Sequence, residues 1–359
     1  MKIALITDQH FGVKNDSPIF LEYQKKFYEK TFFPYLKKHN ITEVVDLGDT
    51  FDRRKYINYN TLAEVKDFYF DKLREENITL HIIVGNHSTF HKNKNDINSP
   101  DLLLREYSNI INYAEPKHVM FGNCNVLMMP WINTENLDTC FDTIKNTDVQ
   151  VMFGHFELSD ETLRRNFKFH NGITLKTMKK FEHVFSGHYH QKITKGNFKY
   201  LGVPYQLTWE DVEAEKGFHI FDTDTRTIKF IPNPHKIYKK ILWEESGQYN
   251  VKELMDNVAK DADKYANKYI KVIVRRKDNP YILDRYIEAI EQCAPHSVTT
   301  EESIIIVNGV EESDSIEKIE DTLTTLVTYI NSMESLEKRD SLLYFVETLY
   351  QEALAVEEL

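Results

Sequence analysis

Apolar residues fall along this chain in short runs, each ending at a glycine or a turn and then at an ionisable or amide side chain. KIALIT at residues 2–7 leads into Asp8, EVVDLG at 43–48 into Asp49, and LHIIVG at 80–85 into Asn86. VQVMFG at 149–154 leads into His155, and HVFSG at 183–187 into His188. Runs of this length, bounded by turn residues, predict buried strands. Helix-like stretches, such as residues 59–76, lie between the first three. Strands alternating with helices predict an α/β sheet, and in such sheets ligands collect beyond the carboxyl ends of the strands. The polar residues stand at those ends, so they are expected to converge. Short strands at 199–200, 217–222 and 227–231 are expected to finish the domain in an antiparallel second sheet.

Pro232 and Pro234 mark a break, after which the pattern changes. A strand at 269–276, a helix at 280–293 and a strand at 303–307 predict a small α+β module. A polar linker at 308–315 precedes two amphipathic helices joined by residues 331–339. Ile316, Ile319, Leu323, Leu326, Val327 and Ile330 recur at helical spacing in the first, and Leu342, Phe345, Val346, Leu349 and Tyr350 in the second. Two helices bury little surface, so this hairpin either meets a partner or packs on the rest of the chain. The expected organisation is a domain at 1–232, an α+β module at 233–310 and an acidic helical hairpin at 311–359.

The net charge of −11 argues against a generic nucleic-acid binder, but the charge is unevenly spread. Residues 311–359 hold 13 acidic and 3 basic side chains, net −10, which leaves the body near neutral at −1. A basic patch on the body is therefore compatible with the composition. No apolar run is long enough for a membrane span, and the N-terminus lacks a signal-peptide core, so a cytoplasmic protein is expected. Cys124, Cys140 and Cys293 are sparse and unpatterned, which points to free thiols rather than disulfides or a thiolate zinc site. The chain has no GxxxxGK[ST] phosphate loop, so no ATP site is expected.

Five motifs carry the chemistry: Asp8-Gln9-His10, Gly48-Asp49-Thr50-Phe51-Asp52, Gly85-Asn86-His87-Ser88, Gly154-His155 and Gly187-His188-Tyr189-His190. Carboxylate, amide oxygen and imidazole nitrogen, without thiolate, suit manganese, iron or zinc. Alone, a DxH is weak; GNH and GHxH directly after apolar strands, in this order, are specific. Five of the 14 histidines lie in these motifs. His39, His81, His118, His183, His219, His235 and His296 are expected to be structural or solvated, and His91 and His170 are left open.

This set resembles the calcineurin-like metallophosphoesterases. Within them it is most similar to the SbcD-type DNA nucleases, whose members include bacterial, eukaryotic and, nearest to this chain, T-even phage recombination nuclease subunits. The resemblance runs over nearly the whole length. It implies an α/β fold: a four-layer α/β/β/α sandwich, then a small α+β capping module that engages DNA and a C-terminal helical hairpin. It implies two divalent metal ions, manganese first, with magnesium, iron or zinc as alternatives. Asp8, His10 and His190 would hold one, Asn86, His155 and His188 the other, and Asp49 both. His87 would face the scissile phosphate. The family usually carries an acidic residue after GNH, where this chain has Ser88; Asp52 is a candidate to replace it in orienting His87. The implied partners are DNA, a coiled-coil SbcC-type ATPase on the terminal hairpin, and a second copy of the chain through the nuclease domain. The implied location is the cytoplasm, that of the host if the chain is phage-encoded.

Residues 162–181 hold no acidic side chain but include Arg164, Arg165, Lys168, Lys176, Lys179 and Lys180, interleaved with Phe167 and Phe169. With Lys14, Arg53, Arg54, Lys55, Lys92 and Lys94 near other motifs, these are candidates to neutralise phosphates round the site without reading bases. The expected activity is DNA exonuclease and endonuclease. Two other readings stay open. One is a phosphatase or phosphodiesterase acting on other phosphoesters, which GDTFDR at 48–53 also fits. The other is a weakly catalytic scaffold that holds the ATPase on DNA.

Overall fold

Alternation along the strands deals successive side chains to different cores. In β1 (Lys2–Ile6), Ala4 and Ile6 face one cluster while Ile3 and Leu5 face another. In β2 (Glu43–Asp46), Val44 and Val45 divide the same way, and in β3 (Thr79–Ile83) Leu80 and Ile82 oppose Ile83. A strand apolar on both faces must be covered on both. The computed structural model describes residues 1–158, 174–245 and 250–302, which fall within one compact unit, Met1–Ser303.

Two six-stranded sheets result. The first runs β12-β11-β1-β2-β3-β4, with β4 at Ile110–Tyr113, β11 at Gly217–Asp222 and β12 at Thr227–Pro232. The second runs β5-β6-β7-β8-β10-β9. Its strands are β5 (Lys117–Phe121), β6 (Cys124–Met129), β7 (Val151–His155), β8 (His183–Gly187), β9 (Ile193–Lys195) and β10 (Phe198–Tyr200). Between the sheets lie Ile3, Leu5, Val45 and Ile83 from the first and Val126, Met128, Phe153 and Phe185 from the second. The outer face of the first sheet meets Phe27, Tyr28, Phe32, Phe68, Tyr69 and Leu73 from helical stretches. That of the second meets Cys140 and Ile144 of the helix Leu137–Asn146, and Met178. The layers are therefore helix, sheet, sheet, helix.

One expectation is corrected. β11 and β12 do not form part of the second sheet but extend the first, with β11 antiparallel to β1 from Lys2↔Asp222 to Leu5↔His219. The reason lies in β1, whose Ile3, Ala4, Leu5 and Ile6 are all at most 2% exposed. Such a strand needs a hydrogen-bonded neighbour on each side, and β2 supplies only one.

The expected α+β module has a parallel three-stranded sheet of β13 (Tyr238–Glu244), β14 (Tyr269–Arg276) and β15 (Ser297–Glu302). The helices Val251–Lys260 and Pro280–Glu291 contribute Val258, Ile282, Leu283 and Ile290 to its core. Asn279 caps the second of these, accepting from the Tyr281 N–H at 3.1 Å, with Pro280 at the first helical position. The strand expected at 303–307 and the terminal hairpin lie outside the described residues. No helix among the described residues is long and apolar enough to cross a membrane.

Several of the remaining histidines are held in place structurally. His81 bridges Tyr113 and Glu43, His118 meets Thr147, and His235 meets Thr31. His219 on β11 is buried against Phe230, and burial pushes its pKa down to about 3, with Lys192 and Lys199 adding to the shift. The unfolded chain takes up this proton near the ordinary value of 6.5, whereas the folded chain refuses it until about 3. Stability from this group is thus complete above 6.5 and is lost as pH falls toward 3, by up to about 1.4 kcal/mol per pH unit. In urea unfolding across this window, His219→Phe is expected to show a shallower acid decline than the parent. Equal slopes would contradict the assignment.

Candidate active site

β1, β2 and β3 are parallel neighbours in one sheet, and β7 and β8 in the other, so the motif residues leave both sheets at strand carboxyl ends. Past the strands, the first two loops stay zipped together. Asp8 N–H donates to Gly48 O at 2.9 Å, His10 N–H to Asp49 O at 3.0 Å, and Phe11 N–H to Thr50 O at 2.9 Å. Asp8, His10, Asp49 and His188 have φ of 51°, 45°, 57° and 90°, a region that non-glycine residues seldom occupy. Strain of this kind persists only where the surroundings over-determine it.

Those surroundings include a buried polar network that motif reading missed. Gln9 Nε2 donates to Asp46 Oδ2 at 2.7 Å, and Tyr28 OH donates to Gln9 Oε1. Tyr205 OH donates to Gln9 O at 2.5 Å, as does Gln24 Nε2 at 3.1 Å. Asp46 also accepts from Thr50 Oγ1 at 2.5 Å and Gly48 N–H at 3.0 Å. Burial raises its pKa to about 7 against these hydrogen bonds, with the Asp8 charge adding to the rise. Tyr28 opens a π-helical turn, Tyr28–Phe32, that follows the helix Pro18–Phe27. Such a turn re-aims side chains within a helix.

Two groups of ligand-type side chains form, each with its donor atoms within 4.8 Å of one another: Asp8, His10 and His190, and Asp49, His155 and His188. His10 Nε2 and His190 Nε2 stand 3.3 Å apart. Asn86 Oδ1 lies 2.9 Å from both His155 Nε2 and His188 Nδ1. Asp49 Oδ2 is 3.2 Å from His155 Nε2, while its Oδ1 accepts the His87 N–H at 2.8 Å.

The donor set fits divalent cations. The Leu47 carbonyl, 2.8 Å from His155 Nδ1, can only accept, so that nitrogen carries a proton and Nε2 is the atom that faces the Asn86 and Asp49 oxygens. A proton or a divalent cation on Nε2 would satisfy both oxygens, and the second is the role the donor set suits. His10 has the matching arrangement: its Nδ1 makes a charge contact with Asp52 Oδ1 at 3.2 Å, leaving Nε2 toward His190. A carboxylate or carbonyl behind the imidazole is the usual support of a metal ligand.

Electrostatics agree. Burial alone would raise the Asp49 pKa, but His155, His87 and His10 hold it well below the carboxylate range. Burial would lower the His155 pKa, and Asp49 and Asp8 overcome it and raise it. His10 is likewise raised against burial by Asp52, Asp49 and Asp8, whereas burial holds His190 down. Glycines keep the space open. A Cβ on Gly85 would lie 2.2 Å from Asp49 Oδ1, and one on Gly187 2.1 Å from Thr7 Oγ1 and 2.9 Å from Asp8 Oδ2.

His87 is partly exposed beside these groups, its ring 5.0 Å from that of His10. Its Nδ1 lies 2.6 Å from the backbone carbonyl of Asp52. Asp52, one candidate for orienting His87, meets it through its backbone carbonyl, while its carboxylate lies against His10. Ser88 is fully buried, and its hydroxyl has no hydrogen-bond partner among the described residues. Trp131, also missed, sets its ring 5.3 Å from His188 and 6.0 Å from His155. A tryptophan directly after the apolar run of β6 was the available signal.

The basic residues divide. Arg53 is held by Asp16 at 2.6 Å and Asn15 at 2.5 Å. Arg54 is half-buried; burial lowers its pKa while Asp49 raises it, and its Nη1 is buried with no hydrogen-bond partner among the described residues. Lys92 is exposed. Lys180 donates to the carbonyls of Ile144, Lys145 and Thr147, closing the end of a helix. Arg164, Arg165, Lys168 and His170 lie outside the described residues.

Residues 1–192 match the family model of the calcineurin-like phosphoesterases. Exonuclease subunit 1 of Enterobacteria phage T4 is 32% identical over 356 residues, covering 98% of this chain and 99% of its own. Among solved structures, an archaeal phosphodiesterase aligns at 12% identity and TM-score 0.32, over 65% of this chain and 99% of its own. A Pseudomonas putida nuclease, MPE, aligns at 18% identity and TM-score 0.28, over 55% and 66%.

Gly85→Ala tests the packing of the site directly. Its methyl group would displace the Asp49 carboxylate, so the manganese retained after gel filtration is expected to fall by at least half while the circular dichroism stays that of the parent. Full metal retention would contradict the placement of Asp49.

Proposed function

The chain belongs to the calcineurin-like phosphoesterase family, and from that premise we propose that it is the nuclease subunit of an ATPase–nuclease complex, hydrolysing DNA phosphodiesters at a two-metal centre. The observation that carries this reading is the meeting of five strand-end motifs in two adjacent ligand groups, with His87 beside them. Asp8, His10 and His190 would hold one ion, Asn86, His155 and His188 the other, and Asp49 would reach both. Manganese is the ion we favour; magnesium, iron or zinc meets the same donors. Such a pair, when bound, supplies a nucleophile at neutral pH and charge to balance the phosphoryl oxygens.

The chain's own side chains do the rest. His87, steadied by the Asp52 carbonyl, stabilises charge on the phosphoryl group and hands a proton to the leaving oxygen. Arg54 offers its unpartnered Nη1 to a phosphate, and Lys92, Arg164, Arg165 and Lys168 extend the contacts along the backbone; Arg53 contributes through the loop it braces. DNA is the substrate class because the T4 relative is named an exonuclease subunit and aligns with this chain end to end. The word subunit also supports a partner, which we assign as a coiled-coil ATPase held by residues 311–359. Residues 1–232 form the nuclease domain, able to pair with a second copy, and 233–310 the capping module that engages DNA. The setting is the cytoplasm, that of the host if the chain is phage-encoded, where double-strand exonuclease and single-strand endonuclease activity serves recombination, repair and replication.

Digestion of linear duplex DNA with manganese and the ATPase partner is expected to fall by about 100-fold or more in His87→Ala, with bound metal unchanged. Hydrolysis of p-nitrophenyl phosphate without any DNA cleavage would favour the phosphatase reading instead. No turnover of either, with both metals bound, would favour the scaffold. Arg54→Ala is expected to raise KM for DNA while leaving kcat near the parent value; a kcat loss with unchanged KM would remove Arg54 from substrate binding.

A further inference from the structure

A second cleft lies away from the candidate metal site. It has a volume of about 1060 Å³ and lies between the helix Pro18–Phe27 and the capping module, sharing no lining residue with either ligand group. Lys26, Lys236, Lys239, Lys240, Lys264 and Lys268 line it, together with His235 and His296. The carboxylates in the lining are Glu22, Glu213 and Asp263. Cations thus outnumber anions two to one in a chain whose overall charge is −11.

The lysines are held together by the fold. Lys268 Nζ is fixed on the carbonyls of Lys264 and Asp263, at 2.9 and 3.2 Å, and Lys239 Nζ sits 5.3 Å from the centre of the Tyr265 ring. Tyr23 OH donates to the His235 carbonyl at 3.1 Å, tying the helix to the segment that leads into β13. After burial, the neighbours that most affect Lys268 are Lys239 and Lys26, ahead of Asp263. For Lys239 it is Lys264, ahead of Asp261. Lys264 is paired with Asp261 at 2.8 Å, whereas the pKa values of Lys239 and Lys268 are lowered by burial and by neighbouring lysines, and a bound anion would relieve those two. Clustered ammonium groups suit phosphates, which accept several point-charge donors at once. The cleft is slightly larger than the usual small-ligand site, roughly 300–1,000 Å³.

We propose that this cleft is a phosphate-binding site, distinct from the metal centre, for a ligand that carries two or three adjacent phosphates. The shared chemistry is a short row of phosphates, whether on a free nucleotide or on the backbone of a DNA strand. Occupancy would draw the nuclease domain and the capping module together across Lys26 on one side and Lys268 on the other.

The test is calorimetric titration of the full chain with sodium tripolyphosphate in EDTA, which removes the metal centre from the measurement. Saturable binding at one site per chain, weakening with added salt, is expected. Lys239→Ala/Lys268→Ala should weaken it at least tenfold, Lys239→Arg/Lys268→Arg should retain it, and thermal unfolding checks that each variant is folded. Lys26→Glu/Lys236→Glu, at exposed positions, should weaken it as well. Displacement by ATP would identify a free nucleotide as the source; displacement by a short single-stranded oligonucleotide but not by ATP would identify the DNA backbone. Absence of saturable binding, or equal binding by the parent and both charge-removing variants, would overturn the proposal. Because no metal is present, failure here leaves the nuclease reading to its own test.

Discussion

The structure turns on a carboxylate buried where it can serve several cationic groups at once. Asp49 stands at the end of β2 with 2% of its surface exposed, within reach of His155 and the His87 backbone, and in the field of His10. An ionised carboxylate in such a place is unfavourable unless charge and hydrogen bonds compensate it. Most of the features round it follow from that demand. Imidazoles converge on it from both sheets, and the glycines at 85 and 187 leave room for carboxylates to reach the centre.

Holding the donors at one point requires backbone that the chain would not choose alone. Three of the candidate ligands, Asp8, His10 and Asp49, lie in the left-handed region within the first two loops. The hydrogen bonds joining those loops supply part of the restraint, and Gln9 supplies more. Its side chain reaches down to Asp46 and Tyr28 while its carbonyl receives Tyr205 and Gln24. This network ties the site to the helical layer and the rest of the first sheet, so that the loop carrying Asp8 and His10 rests on a buried, hydrogen-bonded floor. Asp52 extends the same economy to the surface, steadying His10 through its carboxylate and His87 through its carbonyl.

The strands that carry the motifs were legible because each is an apolar run ended by a turn, and their parallel arrangement then brings Asp8, Asp49, Asn86, His155 and His188 to the same edge. Which strand pairs with which was not legible for β11 and β12, since periodicity reports a face and not a neighbour. β15 escaped notice for a different reason: SVTTEE has no apolar run, being an exposed edge held by its pairing to β14. Within the site, side chains that act by type could be read, and those that act by position could not. Gln9 matters through Tyr205, which is 196 residues away, and Trp131 through rings on another sheet strand and loop. Asp52 was visible as a carboxylate, but nothing in the sequence indicated that its carbonyl would meet His87.

The central claim is that two ions share one site through Asp49. Electron paramagnetic resonance of the full chain, titrated with manganese, measures this most directly. The account predicts that the signal of a single bound ion gives way at two equivalents to that of a magnetically coupled pair. Two uncoupled signals, or saturation at one ion per chain, would contradict it.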